Sequence, residues 1–494
     1  VEKLPALRGM IVDRHEEPLA KSIPVAHVMV NKSHLFDPKL VSYGLAYQQA
    51  SAEPGWKDLT PEAQRKRIRS LRGDILEQVP VDVIVEKHLA YAVGILARPL
   101  GMRKEELHAK IMGGAKWFPV AKDIPQDVAD NLRETIKANW IDGIVFENSL
   151  KRWYTASKHA THLTGFTREH EETDEDGKPH TRVRGDFGVE YTMDPFLAGR
   201  DGWREHRRDA RGLVVPGTAN SLKPPRAGLN VKLTIDMGIQ NIVEEELDAA
   251  LAEYEAKKGA VVLMDPKTGD VLAMASRPHF DLNLRSNLEE EGVSMNYAIQ
   301  TIYEPGSTIK IVASSGALNE GLVKPTTSIF CHNGLYQSGA VRVTDKFPAG
   351  SLSFQGVLQK SNNIGTYSLG RQLGSKRFYE YMAKYGFGSK TGIQLRGERA
   401  GTARNTNNEV DFSRACYGYA TNVTPLQLAC AYSVIASDGK LRKPHIVKSL
   451  IANDGTIIED YKPEVVNDVL KPHTAAQMRA SLEKVVTDGT ATRA

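Results

Sequence analysis

The hydrophobic pattern changes character partway along the chain. From Arg8 to about Gly212 apolar positions fall irregularly, in short strand-like runs separated by charged helical stretches and loops. From Leu229 onward the pattern is regular. Leu229 to Ile235 alternates as a strand does, and Ile239, Val243, Leu247, Leu251 and Tyr254 then recur at helical spacing. Two apolar runs, Ala260 to Met264 and Val271 to Ala275, flank the turn residues Asp265-Pro266-Lys267-Thr268-Gly269-Asp270, which predicts an antiparallel hairpin. Helical patterns occupy most of residues 307 to 440. The expected class is α+β: an irregular N-terminal domain, then a domain built on an antiparallel sheet flanked by helices. Pro216, Gly217, Pro224, Pro225 and Gly228 cluster between them and set the expected boundary, giving domains 1–225 and 226–494.

A length of 494 residues is too great for one ordinary core, in keeping with two domains. The hydrophobic fraction of 41% and charged fraction of 25% are those of a globular protein. A net charge of +4, spread over both signs, does not point to nucleic acid. The basic run Arg65, Lys66, Arg67, Arg69 and Arg72 falls in a helical stretch, Pro61 to Leu76, and reads as a solvated face. His170, Glu171, Asp174 and His180 lack metal-ligand spacing and sit between turn residues, so an exposed acidic hairpin tip is expected, with no metal and no cofactor. Cys331, Cys416 and Cys430 cannot all pair and form no disulfide framework. No apolar stretch reaches the ~18 residues of a membrane span. The chain starts at Val1 without an initiator Met or signal peptide, which raises the expectation of an anchor upstream.

The segment richest in chemistry is Tyr303-Glu304-Pro305-Gly306-Ser307-Thr308-Ile309-Lys310. Pro305 and Gly306 mark a turn and the apolar pattern after Ser307 reads as a buried helix, which sets Ser307 at a helix N-terminus. Residues three apart share a helical face, so the Lys310 amine is expected within hydrogen-bond reach of the Ser307 hydroxyl. A serine needs a base beside it to act as a nucleophile. A lysine held among apolar neighbours such as Ile309 and Ile311 loses affinity for its proton and can supply that base. Alone, Ser-x-x-Lys is a weak signal, since a capping serine followed by an exposed lysine gives the same letters. Fifty-four positions beyond Ser307 comes Ser361-Asn362-Asn363, a Ser-x-Asn element. Ser361 could relay a proton between Lys310 and a leaving amine, and Asn363 could hydrogen-bond a substrate amide.

With these elements in hand, the chain resembles the class B penicillin-binding proteins, most closely the division-type (septal) transpeptidases. The resemblance runs over nearly the whole length, through Arg8-Gly9-Met10-Ile11-Val12-Asp13-Arg14, His162-Leu163-Thr164-Gly165-Phe166, Gly188-Val189-Glu190 and Leu233-Thr234-Ile235-Asp236. It continues through Glu304-Pro305-Gly306-Ser307-Thr308-Ile309-Lys310 to Gly418 and Thr424-Pro425-Leu426-Gln427-Leu428. It implies an inner-membrane anchor upstream, a non-catalytic pedestal over 1–225 and a periplasmic transpeptidase domain over 226–494. It also implies Ser307, Lys310, Ser361 and Asn363 as catalytic residues. The partners it implies are stem peptides ending in D-Ala-D-Ala, β-lactams, the membrane lipid II polymerase and division proteins, with no nucleic acid.

The family's third element, Lys-Ser/Thr-Gly on a strand of the cleft, has a match in Lys390-Thr391-Gly392 that we read as a decoy. Its flanks, Tyr385-Gly386-Phe387-Gly388-Ser389 and Ile393-Gln394-Leu395, resemble the family's loop after a helix. The cleft strand is expected after Gly489-Thr490-Ala491, beyond Ala494. It would carry one of two backbone donors for the oxyanion, the other being at Ser307, and loss of one such donor costs about 3 kcal/mol. Two rival readings stay open: an inert scaffold of the same fold, against which the retained Ser307, Lys310, Ser361 and Asn363 argue, and a β-lactamase or β-lactam sensor, against which the long pedestal argues.

Overall fold

The computed structural model describes residues 2–173, 179–205 and 221–493. The chain forms two compact units, Ser22–Trp153 and the remainder, Val1–Lys21 with Tyr154–Ala494. Pro216 and Gly217 of the expected boundary lie outside the described residues, as does Asp174.

In the unit spanning 22–153, Val25–Asn31 pairs antiparallel with Trp117–Pro125. Five helices of ten residues or more lie in this unit, among them Pro38–Ser51, Pro61–Gln78 and Val81–Leu96, the first two capped by side chains. Thr60 starts the second, its hydroxyl accepting from the Ala63 amide at 3.3 Å with Pro61 at the first helical position. Its basic residues are largely solvated: Arg65, Lys66 and Arg69 are exposed, Arg67 pairs with Glu53, and Arg72 lies 4.2 Å over the Tyr43 ring. Val41, Leu45, Trp56, Ile68, Ile75 and Ile84 close the core among the helices. Each such side chain contributes about 1.5–3 kcal/mol by leaving water.

The larger unit holds the candidate chemistry. Asn230–Leu233 pairs antiparallel with Val447–Ile451 and parallel with Ile11–Val12. Helix Met237–Glu253 follows, its N-terminus capped by Asp236, and then the hairpin Gly259–Met264 with Val271–Arg277, all as the alternation and spacing predict. The helical reading of 307–440 needs correction over residues 386–408, which hold no helix, and over residues 328–353. The latter form two small antiparallel ladders, Ser328–Phe330 with Ser351–Ser353 and Leu335–Ser338 with Val341–Thr344. Val341 and Val343 alternate buried with exposed Arg342 and Thr344, a period of two that the longer helical runs on either side obscured. Thr167–Thr173 and Pro179–Gly185 form the expected hairpin arms. Helix Ile311–Asn319 is apolar almost all round and is buried from Ile311 to Leu318, the mark of a helix enclosed on every side.

All three cysteines are buried free thiols. Among the described residues no group of His, Cys, Asp and Glu could hold a metal ion, and no helix is long and apolar enough to cross a membrane.

Candidate active site

Ser307 and Lys310 belong to one turn of 3-10 helix, Gly306–Lys310, which runs directly into the buried helix Ile311–Asn319. In this tighter turn residues three apart eclipse, so both side chains leave from one side. The turn is pinned from outside. Gly306 has φ +57° and donates its amide to Gly418 O at 3.0 Å; a Cβ on Gly418 would fall 1.8 Å from Gly306 O, so only glycine permits the approach. Tyr303 and Val423 exchange backbone hydrogen bonds at 3.0 Å, and the Tyr432 hydroxyl donates to Thr308 O. Ser307 is exposed at the end of this support, whereas Lys310 is only 3% exposed.

The Lys310 amine does not turn to Ser307. It donates to Ser361 O at 2.5 Å and to Ser361 Oγ at 3.0 Å, and no hydrogen bond joins it to Ser307. The expected direct contact is therefore replaced by one to Ser361, which offers the amine two oxygens at once. Burial lowers the pKa of Lys310 from its usual 10.5 to about 8, against an opposing pull from the Asp345 carboxylate. An amine so placed is neutral over a useful fraction of time near neutrality and can accept a hydroxyl proton.

Ser361 reaches Lys310 because of how its helix ends. Helix Phe354–Gln359 closes with Ser361 N donating to Leu358 O and Asn362 N to Val357 O, both at 2.9 Å. This is the paired closure that ordinarily takes glycine, and Ser361 occupies the glycine position at φ +50°. The left-handed turn aims both the carbonyl and the hydroxyl of Ser361 at Lys310. Asn362, 3% exposed, then caps the next helix, Asn363–Leu373, by accepting from Gly365 N at 2.7 Å.

Asn363 opens that helix. Its Nδ2 donates to Thr344 O at 3.0 Å, while its amide and that of Ile364 donate to the two carboxylate oxygens of Asp345 at 2.5 and 3.1 Å. Asp345 thus ties the Ser-x-Asn element to strand Val341–Thr344 and partly offsets the effect of burial on Lys310. Nothing in the sequence marked it, since it lies 18 residues from its hydrogen-bond partner and belongs to no spacing pattern.

Lys390, Thr391 and Gly392 lie in a loop between helices Ser375–Lys384 and Glu409–Ala415, as their flanks suggested. Thr391 N and Oγ1 donate to Glu398 Oε1 at 2.7 and 2.6 Å, and Gly392 N to Oε2 at 3.2 Å. Lys390 and Thr391 line a cavity of about 180 Å³ with Tyr385, Gln427 and Lys443, to which none of the four candidate residues contributes.

Comparison with known proteins adds names to this geometry. The penicillin-binding protein dimerisation domain matches residues 3–233, and the penicillin binding protein transpeptidase domain matches residues 259–494. Stage V sporulation protein D of Bacillus subtilis is 30% identical over 402 residues, 80% of this chain and 60% of that protein. Peptidoglycan D,D-transpeptidase FtsI of Escherichia coli is 29% identical over 452 residues, 91% of this chain and 66% of that one. The chain thus spans less than two thirds of the length of these relatives. Penicillin Binding Protein 2X of Streptococcus thermophilus shares the fold, with a TM-score of 0.73 at 23% identity over 98% of this chain and 66% of that one. Matched in consecutive order over nearly all its length, this chain belongs to the class B penicillin-binding proteins, with a dimerisation domain followed by a transpeptidase domain.

Proposed function

We propose that the protein is a serine D,D-transpeptidase that cross-links peptidoglycan stem peptides, in septal wall synthesis, and that β-lactams acylate it. The observation that carries this reading is the buried Lys310 amine, hydrogen-bonded to Ser361 and rooted in the same turn as exposed Ser307. Ser307 Oγ gives its proton to Lys310 Nζ and bonds to the carbonyl carbon of the penultimate D-Ala. The C–N bond to the terminal D-Ala breaks, and the leaving amine takes a proton from Lys310 through Ser361 Oγ. An amine of a second stem peptide then attacks the ester, its proton returns along the same path, and the Ser307 hydroxyl is restored. In this scheme the Asn363 carboxamide holds a substrate amide, with one Nδ2 hydrogen kept on Thr344 O.

The Escherichia coli relative, a peptidoglycan D,D-transpeptidase by name, supports the substrate class, and the family name supports β-lactam binding. On the same reading the catalytic part works in the periplasm at the inner membrane, with the lipid II polymerase and division proteins as partners. Residues 1–225 serve as pedestal and 226–494 as the transpeptidase domain, a division supported by matched models that end at 233 and begin at 259.

Intact-mass measurement of the full-length protein after incubation with a penicillin tests this. One added drug mass that persists, and is absent in Ser307→Ala, is the expected result. Rapid turnover of the drug without an adduct would favour a β-lactamase, and no reaction at all an inert scaffold.

A further inference from the structure

Beside the candidate site lies a ladder of three aromatic rings, two exposed and the third half-buried, that no step above uses. Phe330 is 54% exposed at the end of strand Ser328–Phe330. The exposed His332 ring lies 4.5 Å from it and 5.0 Å from Tyr336, edge to face. Tyr336 is fixed from beneath: its ring meets Tyr367 at 5.5 Å, its hydroxyl accepts from Arg371 Nη1 at 2.8 Å, and the Tyr367 hydroxyl donates to Glu409 at 2.8 Å. The backbone that presents these rings is itself unusual. His332, Asn333 and Gly334 take φ values of +49°, +52° and +89° in succession.

The ladder is coupled to the site. Asp345 N donates to Gly334 O at 3.2 Å, and Tyr336 pairs with Val343, two residues before Asp345. Asp345 in turn holds the helix that begins with Asn363. The segment that carries these rings and the Ser-x-Asn element are therefore joined through Asp345.

We infer that Phe330, His332 and Tyr336 form a saccharide-binding platform that holds the glycan of a peptidoglycan strand while its stem peptide enters the candidate site. This rests on the transpeptidase reading for the identity of the glycan. A pyranose has an apolar C–H face and a rim of hydroxyls. It calls for exposed, rigid aromatic faces interleaved with groups that can donate and accept hydrogen bonds, here the His332 ring nitrogens, the Asn333 amide and Arg371. A purely apolar partner would leave those polar groups unpaired, at a cost to binding.

The test titrates the full-length protein with peptidoglycan strands freed of stem peptides by an amidase, followed by calorimetry. Saturable binding is expected, weakened about tenfold in Phe330→Ala and in His332→Ala and preserved in Phe330→Trp. Melting temperature and penicillin acylation of Ser307 should be unchanged in all three, showing that they fold and keep the site. Absent binding by the parent protein, or equal binding by the alanine variants, overturns the platform. Absent penicillin acylation in the parent protein would instead remove the transpeptidase reading, leaving glycan binding to be judged by itself.

Discussion

Two buried bases show opposite uses of desolvation. Lys310, 3% exposed, and His88, fully buried in helix Val81–Leu96, both have their pKa values lowered chiefly by burial, to about 8 and about 4. Lys310 has two oxygens of Ser361 within hydrogen-bond distance and a carboxylate, Asp345, that restrains the fall. Among the described residues His88 has no hydrogen-bond partner for either ring nitrogen; the Asp142 carboxylate restrains the fall here too, and Gly44 packs so close that a Cβ on it would come within 2.8 Å of the ring. Burial with partners leaves an amine that can gain and lose a proton near neutrality. Burial without them leaves a ring that must stay neutral, which makes it a weakness in acid rather than a tool.

The largest expected effect breaks the comparison at its functional end. Ser307→Ala should abolish the penicillin adduct. Lys310→Ala should slow its formation by about a hundredfold to ten-thousandfold, the usual worth of a positioned base, while circular dichroism shows both variants folded. A Lys310→Ala protein acylated at the parental rate would show that Lys310 is no base.

The pH profile sharpens the point. The working form of Lys310 is the neutral amine, so the acylation rate should rise with pH and level off above about 8. Asp345 raises the pKa of Lys310, so Asp345→Asn should move the inflection to lower pH. It should also cost about 1 kcal/mol of stability through the weakened cap on helix Asn363–Leu373. An unmoved inflection would mean that the carboxylate does not act on the amine.

At the other base the effect is on stability. The folded-state pKa of His88 lies below its ordinary value of 6.5, so the folded protein takes up its proton less readily than the unfolded chain. Its neutral form costs nothing extra above pH ~6.5; stability is lost as pH falls from there towards about 4, by about 3 kcal/mol in all. Urea unfolding of the parent and of His88→Leu at pH 7.5 and 4.5 reads this out. The variant should lose less stability between the two pH values, and equal losses would place the acid sensitivity elsewhere.

These contrasts also mark what the sequence could reveal. The Ser-x-x-Lys spacing and the apolar run after it were enough to bring Ser307 and Lys310 to one side of a buried element, because short-range helical geometry is local. The strand, helix and hairpin from Leu229 to Ala275 were legible for the same reason. Asp345 was not: its action on Asn363 and Lys310 comes from a strand pairing distant in sequence. Nor did the pattern reveal the compact unit 22–153, whose apolar positions are divided between two small cores and so never build a long periodic signal. Lys390-Thr391-Gly392 taught the converse. Its letters match a functional motif, but its flanks pointed to a loop, and the Glu398 carboxylate holds that loop together.

The smallest expected effect separates strain from chemistry at Ser361, the residue that makes the difference between the two bases. At φ +50° a side chain costs about 1–2 kcal/mol that glycine does not incur, although glycine gives back part of this through the freedom of its unfolded chain. Ser361→Gly and Ser361→Ala both remove the hydroxyl 3.0 Å from Lys310, but only the glycine variant relieves the backbone. Thermal unfolding should find Ser361→Gly about 1 kcal/mol more stable than Ser361→Ala, with the parent nearer the alanine variant. Both should be similarly impaired in forming the penicillin adduct, since both lack the proposed relay. If Ser361→Gly kept parental acylation, the hydroxyl would be dispensable, and the left-handed turn would serve only to bring the Ser361 carbonyl to the amine.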